Sequence, residues 1–238
     1  GIQTRIYMND DLRGVKAIIF DLGNVIIDLH YERTVRQLTK LSGISADELG
    51  DMLVQAPILQ AFETGRISEE EFRRRFCEML SIQLSDDGFD VMWNSFLGEI
   101  SKERIKRMLQ LKSQFSTFIL SNTNSIHVRS FNKQLAAVHG VELLDALVER
   151  VYFSHEVGMR KPNADIYLHI LQQEGLLPHE TLFIDDRADN IEAAAALGIR
   201  TFHNRQVDDW LGIWRMMGWF DDVLIWWWLI LNFNIVIN

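Results

Sequence analysis

The sequence contains a single cysteine and only three prolines in 238 residues. One cysteine, Cys77, excludes an internal disulfide framework and favours a reducing compartment, so we expect a buried thiol in a cytoplasmic protein. With so little proline, and with neither an internal repeat nor a low-complexity tract, the sequence gives no sign of a flexible linker. We therefore expect one domain, with any additional element inserted into it.

Positive charge is also scarce. The chain has 24 Lys and Arg against 33 Asp and Glu, a net charge of −9. This balance argues against a surface that holds a nucleic acid backbone, so we expect no nucleic acid partner. An anionic substrate would need local cations or a metal. Residues 1–12 are polar and mixed, so we expect no secretory signal.

Long apolar runs are absent except near the C-terminus. Residues 223–231 form an unbroken apolar run that includes Trp226, Trp227 and Trp228. This run is too short to cross a bilayer, which needs roughly 20 residues, so we expect no membrane partner. We expect residues 219–238 to form an apolar tail that packs on the core or joins copies of the chain in a homo-oligomer.

Along much of the sequence, short apolar segments alternate with amphipathic ones. They predict five strands, at residues 17–20, 117–120, 151–153, 181–184 and 200–202. Helices are predicted between the later strands, at residues 125–137, 163–173 and 190–197. This alternation indicates an α/β fold with a parallel sheet covered on both faces.

Between the first two strands the alternation stops and helices dominate. Helices are predicted at residues 45–55, 68–80, 85–96 and 101–111, and Ser68 with Glu71 predicts a capping box. In the last of them we expect four basic side chains on solvent-facing surfaces: Lys102, Arg104, Lys106 and Arg107. The pattern predicts a helical cap at residues 29–100, inserted into a core formed by residues 14–28 and 101–218.

Polar side chains are concentrated in four loops. Three loops follow predicted strands, at residues 21–24, 121–124 and 185–190, and the fourth is Arg160-Lys161-Pro162. A parallel sheet would bring the three strand ends to one edge. Carboxylates, a hydroxyl, an amide and a lysine together predict a site for a hard metal such as Mg²⁺ beside an anion pocket.

Zinc chemistry is not indicated, because the sequence has no cluster of His and Cys at ligand spacing. We expect structural or surface positions for four histidines: His30, His127, His155 and His203.

Taken in order, the four loops resemble those of the haloacid dehalogenase superfamily of phosphohydrolases. The resemblance lies in residues 20–25, 120–124, 158–162 and 184–191 and extends over residues 16–203. It is closest to the α-D-glucose-1-phosphate phosphatase group and the phosphatase domain of soluble epoxide hydrolase. It implies a three-layer, Rossmann-like α/β core with an inserted helical cap, and a Mg²⁺-dependent enzyme that acts on a small phosphorylated metabolite, such as a sugar phosphate.

The resemblance also implies roles for individual residues. Asp21 would be the nucleophile that forms an aspartyl-phosphate, which water then hydrolyses. Ser121 and the backbone amide of Asn122 would bind phosphoryl oxygens, and Lys161 would supply a fixed positive charge.

By the same resemblance, Mg²⁺ would be held by Asp21, the backbone oxygen of Gly23 and Asp186. The adjacent Asp185 and Asn190 would then support the site. From the residues alone, Asp185, Asp189 and Asn190 have a second interpretation, in which they only shape the loop and cap the following helix.

Gly23 departs from the family pattern, because most phosphatases of this superfamily have an aspartate there that acts as acid and base. The leaving-group proton would have to come from solvent, from the substrate, or from another group such as Asp28 or a cap residue. A sugar 1-phosphate, whose leaving group is comparatively good, would tolerate this loss. Cap residues near Phe62, Glu63 and Arg66 are candidates for setting specificity.

Two alternatives follow from Gly23. The 2-haloacid dehalogenases of the superfamily also lack the second aspartate and use the first one on carbon, without Mg²⁺. The acidic pair Asp185-Asp186 favours a metal and therefore a phosphatase. The other alternative is a non-catalytic protein that keeps the phosphate pocket and acts through partners, for example through the Trp-rich tail.

Overall fold

The computed structural model describes residues 12–215. Its strands are β1 Ala17–Phe20, β2 Ser116–Ser121, β3 Arg150–Phe153, β4 Thr181–Asp185 and β5 Arg200–His203. They form one parallel sheet in the order β3-β2-β1-β4-β5. The predicted parallel sheet is thus confirmed. The predicted apolar tail at residues 219–238, with the association expected of it, lies outside the described residues.

Six helices lie between β1 and β2, and the first five are α1 Tyr31–Ser42, α2 Ala46–Gln55, α3 Pro57–Glu63, α4 Glu69–Leu80 and α5 Asp86–Trp93. A 3₁₀ turn, Asn94–Phe96, follows α5, so the helix predicted at residues 85–96 changes its winding in its last turn. We call residues 31–96 the helical module.

The helices that follow the module are α6 Lys102–Lys112, α7 Ser125–His139, α8 Ser154–Val157, α9 Ala164–Glu174, α10 Ala188–Ala196 and α11 Asp209–Arg215. Between residues 12 and 215, none of the helices is long and apolar enough to cross a membrane.

Both faces of the sheet are buried, which explains the unbroken apolar run of β1. Ile18 and Phe20 pack on one side in a cluster that includes Met108 of α6. Ile19 packs on the other side in a cluster that includes Tyr167 of α9. A parallel strand covered on both faces needs apolar residues at every position. The fold is therefore a three-layer α/β arrangement.

The helical module has an aromatic core of its own. Phe62 of α3 stacks on Phe72 of α4 with ring centroids 4.1 Å apart, and Phe76 and Phe89 also contact Phe72. Phe62 is therefore committed to packing within the module. Of the candidates for setting specificity, Phe62 therefore lies inside the module.

Only half of the predicted capping box forms at the start of α4. Ser68 Oγ accepts a hydrogen bond from the Glu71 backbone amide at 3.1 Å. The Glu71 carboxylate, however, binds the guanidinium groups of Arg74 and Arg75 on the surface of α4. The Glu71 side chain thus forms ion pairs along the helix instead of accepting from the Ser68 backbone amide, the bond that would complete the capping box.

The prediction that the basic residues of α6 are solvated is wrong for Arg104 and Arg107, which are both buried. Arg104 Nη2 lies 2.9 Å from Asp28 Oδ1 and Nε lies 2.7 Å from Asp208 Oδ1, and Nη1 donates to the Ile26 carbonyl at 3.1 Å. The guanidinium therefore joins the segment after β1 to the segment before α11. Lys102, by contrast, is exposed as predicted.

Candidate active site

The register of the sheet brings three of the polar loops together. Phe20, the last residue of β1, pairs with Ile119 and with Ile184. The three strands therefore end at nearly the same level, and Asp21 follows β1 beside the ends of β2 and β4. The Asp21 backbone amide continues the ladder by donating to the Ile184 carbonyl at 2.8 Å.

Lys161 reaches this edge from the loop after α8 and is fully buried there. Its Nζ donates to Asp21 Oδ1 at 2.8 Å, to Asp185 Oδ2 at 2.7 Å and to the Leu120 carbonyl at 2.9 Å. Burial opposes the charged form, but the carboxylates of Asp185 and Asp21 outweigh it and raise the pKa of Lys161. Lys161 is therefore a fixed cation in contact with Asp21.

Asn122 holds the Lys161 loop against the end of β2. Its side chain donates to the Lys161 carbonyl at 2.8 Å and accepts from the Lys161 amide at 2.9 Å. The neighbouring Ser121 is buried and lines the same cavity as Asp21. The role predicted for Asn122 needs only its backbone amide, so the two functions are compatible.

Three carboxylates meet at this edge. Oxygens of Asp21, Asp185 and Asp186 all lie within 4.8 Å of one another. Burial raises the pKa of Asp21 in spite of Lys161, and Asp185 raises it further. Burial likewise raises the pKa of Asp186. Because these carboxylates share one ammonium, a divalent cation would relieve the surplus negative charge.

Asp185 is fully engaged by the protein itself. Its Oδ2 accepts from Lys161, its Oδ1 accepts from the Arg187 amide at 2.8 Å, and Asn190 Nδ2 contacts both oxygens at 3.1 and 3.2 Å. These bonds fit a supporting role for Asp185 and Asn190, and they also shape the loop. No side-chain cap forms at Arg187, where α10 begins.

Asp186, in contrast, lines the cavity that contains Asp21 and Gly23. Its Oδ2 accepts from Asn24 Nδ2 at 3.2 Å, and its backbone carbonyl accepts from His203 Nε2 at 3.0 Å. Carboxylates of Asp21 and Asp186 with the Gly23 carbonyl would form a hard oxygen donor set, the kind that Mg²⁺ prefers. The residues present fit that ion.

The space beside Gly23 is filled by Leu29. A Cβ placed on residue 23 would lie 2.5 Å from Leu29 Cδ1. Leu29 therefore takes the room that a side chain at position 23 would need. The sequence showed that a side chain is missing at residue 23 but did not show what replaces it.

Asp28, considered from the sequence as a proton source, is engaged elsewhere. Its carboxylate pairs with Arg104, and it lines an adjacent depression with Asn24, Arg205 and Asp186, the last of which also lines the Asp21 cavity. Among the described residues, Asp28 is not part of the wall of the Asp21 cavity. The ion pair with Arg104 argues against Asp28 as the proton source.

The Asp21 cavity has a volume of about 370 Å³ and a largely polar wall. The helical module contributes Tyr31 and Glu63, and the core contributes Arg160, Arg187 and Asp189 at the rim. Of the three cap residues expected near the substrate, Glu63 lines the cavity, whereas Phe62 is buried and Arg66 is exposed outside it.

Three further wall residues had no role assigned from the sequence, although two of them lie in the polar loops: Tyr31, Arg160 and Arg187. Arg160 and Arg187 directly adjoin Lys161 and Asp186 in the chain, and that adjacency was the available signal. No local pattern marks Tyr31, since only the packing of the module brings it to the cavity.

The fold and this edge of the sheet define an α/β enzyme whose ligand site lies at the carboxyl ends of the strands. The family model of haloacid dehalogenase-like hydrolases matches residues 15–198. The chain therefore belongs to the haloacid dehalogenase-like hydrolases, as the resemblance of its four loops implied.

Several proteins of this family are similar to the chain over most of its length. The chain is 30% identical to D-ribitol-5-phosphate phosphatase of Bacteroides thetaiotaomicron, over 82% of this chain and 95% of that one. A haloacid dehalogenase family enzyme of the same organism, crystallised with magnesium and inorganic phosphate, is 31% identical with a TM-score of 0.77 over 84% of this chain and 100% of that one. A family hydrolase of Porphyromonas gingivalis is 30% identical with a TM-score of 0.77, covering 87% and 99%. The chain is a hydrolase with phosphatases among its relatives, while the narrower subgroup stays a prediction.

Proposed function

We propose that this chain is a Mg²⁺-dependent phosphohydrolase that removes phosphate from a small metabolite, a sugar phosphate, through an aspartyl-phosphate on Asp21. The observation that carries the proposal is the 2.8 Å contact between Lys161 Nζ and Asp21 Oδ1, with Asp186 in the same cavity. A carboxylate oriented by a buried cation beside further oxygen donors suits attack on phosphorus.

The first step uses Asp21 as the nucleophile. Lys161 and the Leu22 amide both donate to Oδ1, at 2.8 and 2.7 Å, which holds the carboxylate and directs Oδ2 towards the substrate. Oδ2 forms a bond to phosphorus as the bond to the leaving oxygen breaks. The Ser121 hydroxyl and the Asn122 amide donate to the phosphoryl oxygens. Water then attacks phosphorus and restores the Asp21 carboxylate.

When bound by Asp21, Asp186 and the Gly23 carbonyl, Mg²⁺ would supply charge neutralisation between the carboxylate and the phosphate. The crystallisation of a relative with magnesium and phosphate supports this assignment.

The wall of the cavity supports a hydroxylated substrate. Glu63, Arg160, Arg187, Asp189 and Asn190 present hydrogen-bonding groups around the space beyond the phosphate site. A cavity of about 370 Å³ suits a small polar molecule better than a long apolar one. The relative named for D-ribitol 5-phosphate supports the same class of substrate.

Phosphate release by the purified protein tests the proposal. The panel is p-nitrophenyl phosphate, D-ribitol 5-phosphate and α-D-glucose 1-phosphate, each with Mg²⁺ and with excess EDTA, and Asp21→Asn is the matched variant. We expect release that requires Mg²⁺ and falls by about 10³-fold or more in Asp21→Asn, because removal of a nucleophile leaves only binding and electrostatic effects.

Other outcomes would contradict the proposal. Halide release from 2-chloropropionate without Mg²⁺, and no phosphate release, would indicate a dehalogenase. Binding of inorganic phosphate without turnover of any ester would indicate a non-catalytic protein.

A further inference from the structure

Hydrolysis of a phosphate ester requires a proton for the leaving oxygen and a base for the attacking water. Residue 23 has no side chain to supply either, and Leu29 fills the adjacent space. In the described wall of the cavity, Asp21, Asp186 and Lys161 already have other roles. The titratable wall residues that remain are Tyr31, Glu63, Arg160, Arg187 and Asp189.

Most of these residues are unsuited to the task. Arginine does not release its proton at neutral pH. Asp189 pairs with Arg187 at 2.9 Å, and hydrogen bonds from that guanidinium lower its pKa. Burial and the nearby acids raise the pKa of Tyr31 to about 12. A tyrosinate would therefore regain a proton from solvent before it could activate water. Glu63 is the group left.

We propose that Glu63, at the C-terminal end of α3, is the general acid and base of this reaction. The inference rests on the proposed phosphohydrolase function. In-line displacement puts the leaving oxygen on the side of phosphorus opposite Asp21. Asp21 lies at the sheet edge, whereas Glu63 enters the same cavity from the helical module.

One contact of Glu63 and one of its neighbour Gly65 hold the end of α3 against the core. Glu63 Oε2 lies 3.0 Å from Arg160 Nη2, and Arg160 directly precedes Lys161. Two residues after Glu63, Gly65 has φ +70°, and a Cβ there would lie 2.3 Å from the His155 carbonyl oxygen of α8. Glycine thus permits a close contact between the module and the core beside Glu63. The ion pair with Arg160 therefore places the carboxyl beside the Lys161 loop.

The environment of Glu63 favours its protonated form more than water does. Burial raises the pKa of the Glu63 carboxyl against the opposing effect of Arg160. A carboxyl with a raised pKa beside the phosphate site suits a group that first donates a proton and then accepts one.

The proton and electron pairs balance over two steps. In the first, Asp21 Oδ2 bonds to phosphorus, the electron pair of the broken P–O bond goes to the leaving oxygen, and that oxygen takes the proton of Glu63. In the second step, the Glu63 carboxylate takes a proton from a water molecule while the oxygen of that water bonds to phosphorus. The bond from phosphorus to Asp21 breaks, and its electron pair returns to the Asp21 carboxylate. Ester and water become alcohol and phosphate, and Glu63 is protonated again.

The leaving group distinguishes an acid from a residue that only positions or binds. We compare kcat at saturating substrate of wild type and Glu63→Gln for p-nitrophenyl phosphate, whose leaving group needs little protonation, and for D-ribitol 5-phosphate, whose alkoxide does, because loss of a contact that only binds the polyol raises KM instead. Glutamine keeps the contact with Arg160 but has no acidic proton. We expect a loss of about 10²-fold or more for the polyol ester and less than about tenfold for the aryl ester.

Three further variants serve as comparisons. Glu70→Gln changes an exposed carboxylate of α4 outside the cavity and should leave both values unchanged. Glu63→Asp keeps a carboxyl and should retain part of the activity on the polyol ester. Tyr31→Phe should leave the ratio of the two values near that of wild type.

Equal losses on both esters, or no loss, would overturn the inference. If Glu63→Gln does not fold, judged by circular dichroism and thermal unfolding, the wild type is assayed with a series of aryl and alkyl phosphates. A shallow dependence of kcat/KM on leaving-group pKa supports an acid in the cavity, and a steep dependence contradicts it. If phosphate release is lost in Asp21→Asn but unchanged in Glu63→Gln, this inference alone is overturned. If no ester releases phosphate, the proposed function is overturned.

Discussion

The ammonium of Lys161 lies 2.7 Å from Asp185 and 2.8 Å from Asp21, so one buried cation joins two carboxylates from neighbouring strands. Asp185 is therefore occupied in holding Lys161, while its neighbour Asp186 faces the cavity. Two adjacent acids of the same type thus have different tasks, and isosteric substitutions can separate them.

Asp185→Asn should destabilise the protein, because it places an amide donor beside the buried Lys161 ammonium. Loss of one partner in a buried charged network costs about 3 kcal/mol. Asp186→Asn should leave the free energy of unfolding of the metal-free protein unchanged or higher, since it removes one of three repelling carboxylates. Urea unfolding in EDTA measures both.

The same pair should differ in metal dependence. We expect the Mg²⁺ concentration for half-maximal activity to rise about tenfold or more in Asp186→Asn, because this substitution removes a charged ligand of the metal. If Asp185→Asn raises that concentration while Asp186→Asn does not, the assignment of the two acids is reversed.

Leu29 should control what residue 23 can accept. Gly23→Asp alone should cost about 1–3 kcal/mol, because its Cβ would lie 2.5 Å from Leu29 Cδ1 and that side chain must move. Adding Leu29→Ala should recover part of this cost. A double-mutant cycle by urea unfolding should give a favourable coupling of about 1 kcal/mol or more. Strictly additive effects would show that Leu29 does not fill this space.

The sequence predicts the sheet and the residues at its edge because the information is local. The run at residues 17–20 is apolar at every position, and a parallel register then brings Asp21, Ser121 and Asp185 together. The position of Lys161 needed the family resemblance, because its loop follows α8 rather than a strand. Its bonds to Asn122 show the physical reason for that position.

Tertiary contacts between distant segments could not be predicted in this way. Glu63 and Tyr31 reach the cavity only because the module packs on the core at Gly65 and His155. The local pattern of α6 does not show whether an arginine is solvated or buried. The partners that bury Arg104 lie 76 and 104 residues away in the chain.

Arg104 provides a test of the packing outside the site. Arg104→Ala should cost about 3 kcal/mol or more, because it leaves the carbonyl of Ile26 and the Asp28 carboxylate without their buried donor. Lys102→Ala on the same helix removes an exposed side chain and should change the free energy of unfolding by less than about 0.5 kcal/mol. Similar effects of the two substitutions would contradict the role of Arg104.

His127 should make stability depend on pH. Burial lowers the pKa of His127 to about 3, while its Nδ1 donates to Asn94 Oδ1 at 2.8 Å and its ring stacks on Trp93. The unfolded chain, with a histidine pKa of about 6.5, binds this proton more readily, so stability is full above that pH and falls below it. Between about pH 7 and about pH 5 the loss from this residue is about 2 kcal/mol.

His127→Gln should remove that part of the pH dependence, and His179→Gln, at an exposed position, is the control for loss of a histidine. Urea unfolding at the two pH values measures the difference. If wild type and His127→Gln lose the same stability on acidification, the buried ring is not the source.

Trapping the covalent intermediate tests the central claim most directly. The protein is mixed with its best phosphate ester and Mg²⁺, quenched in acid and treated with borohydride, which reduces an acyl phosphate to an alcohol. Mass spectrometry of the peptide that contains residue 21 should show homoserine in place of Asp21, and only when substrate was present. Phosphate release without this conversion, or conversion at another aspartate, would contradict the assignment of Asp21 as the phosphate-accepting nucleophile.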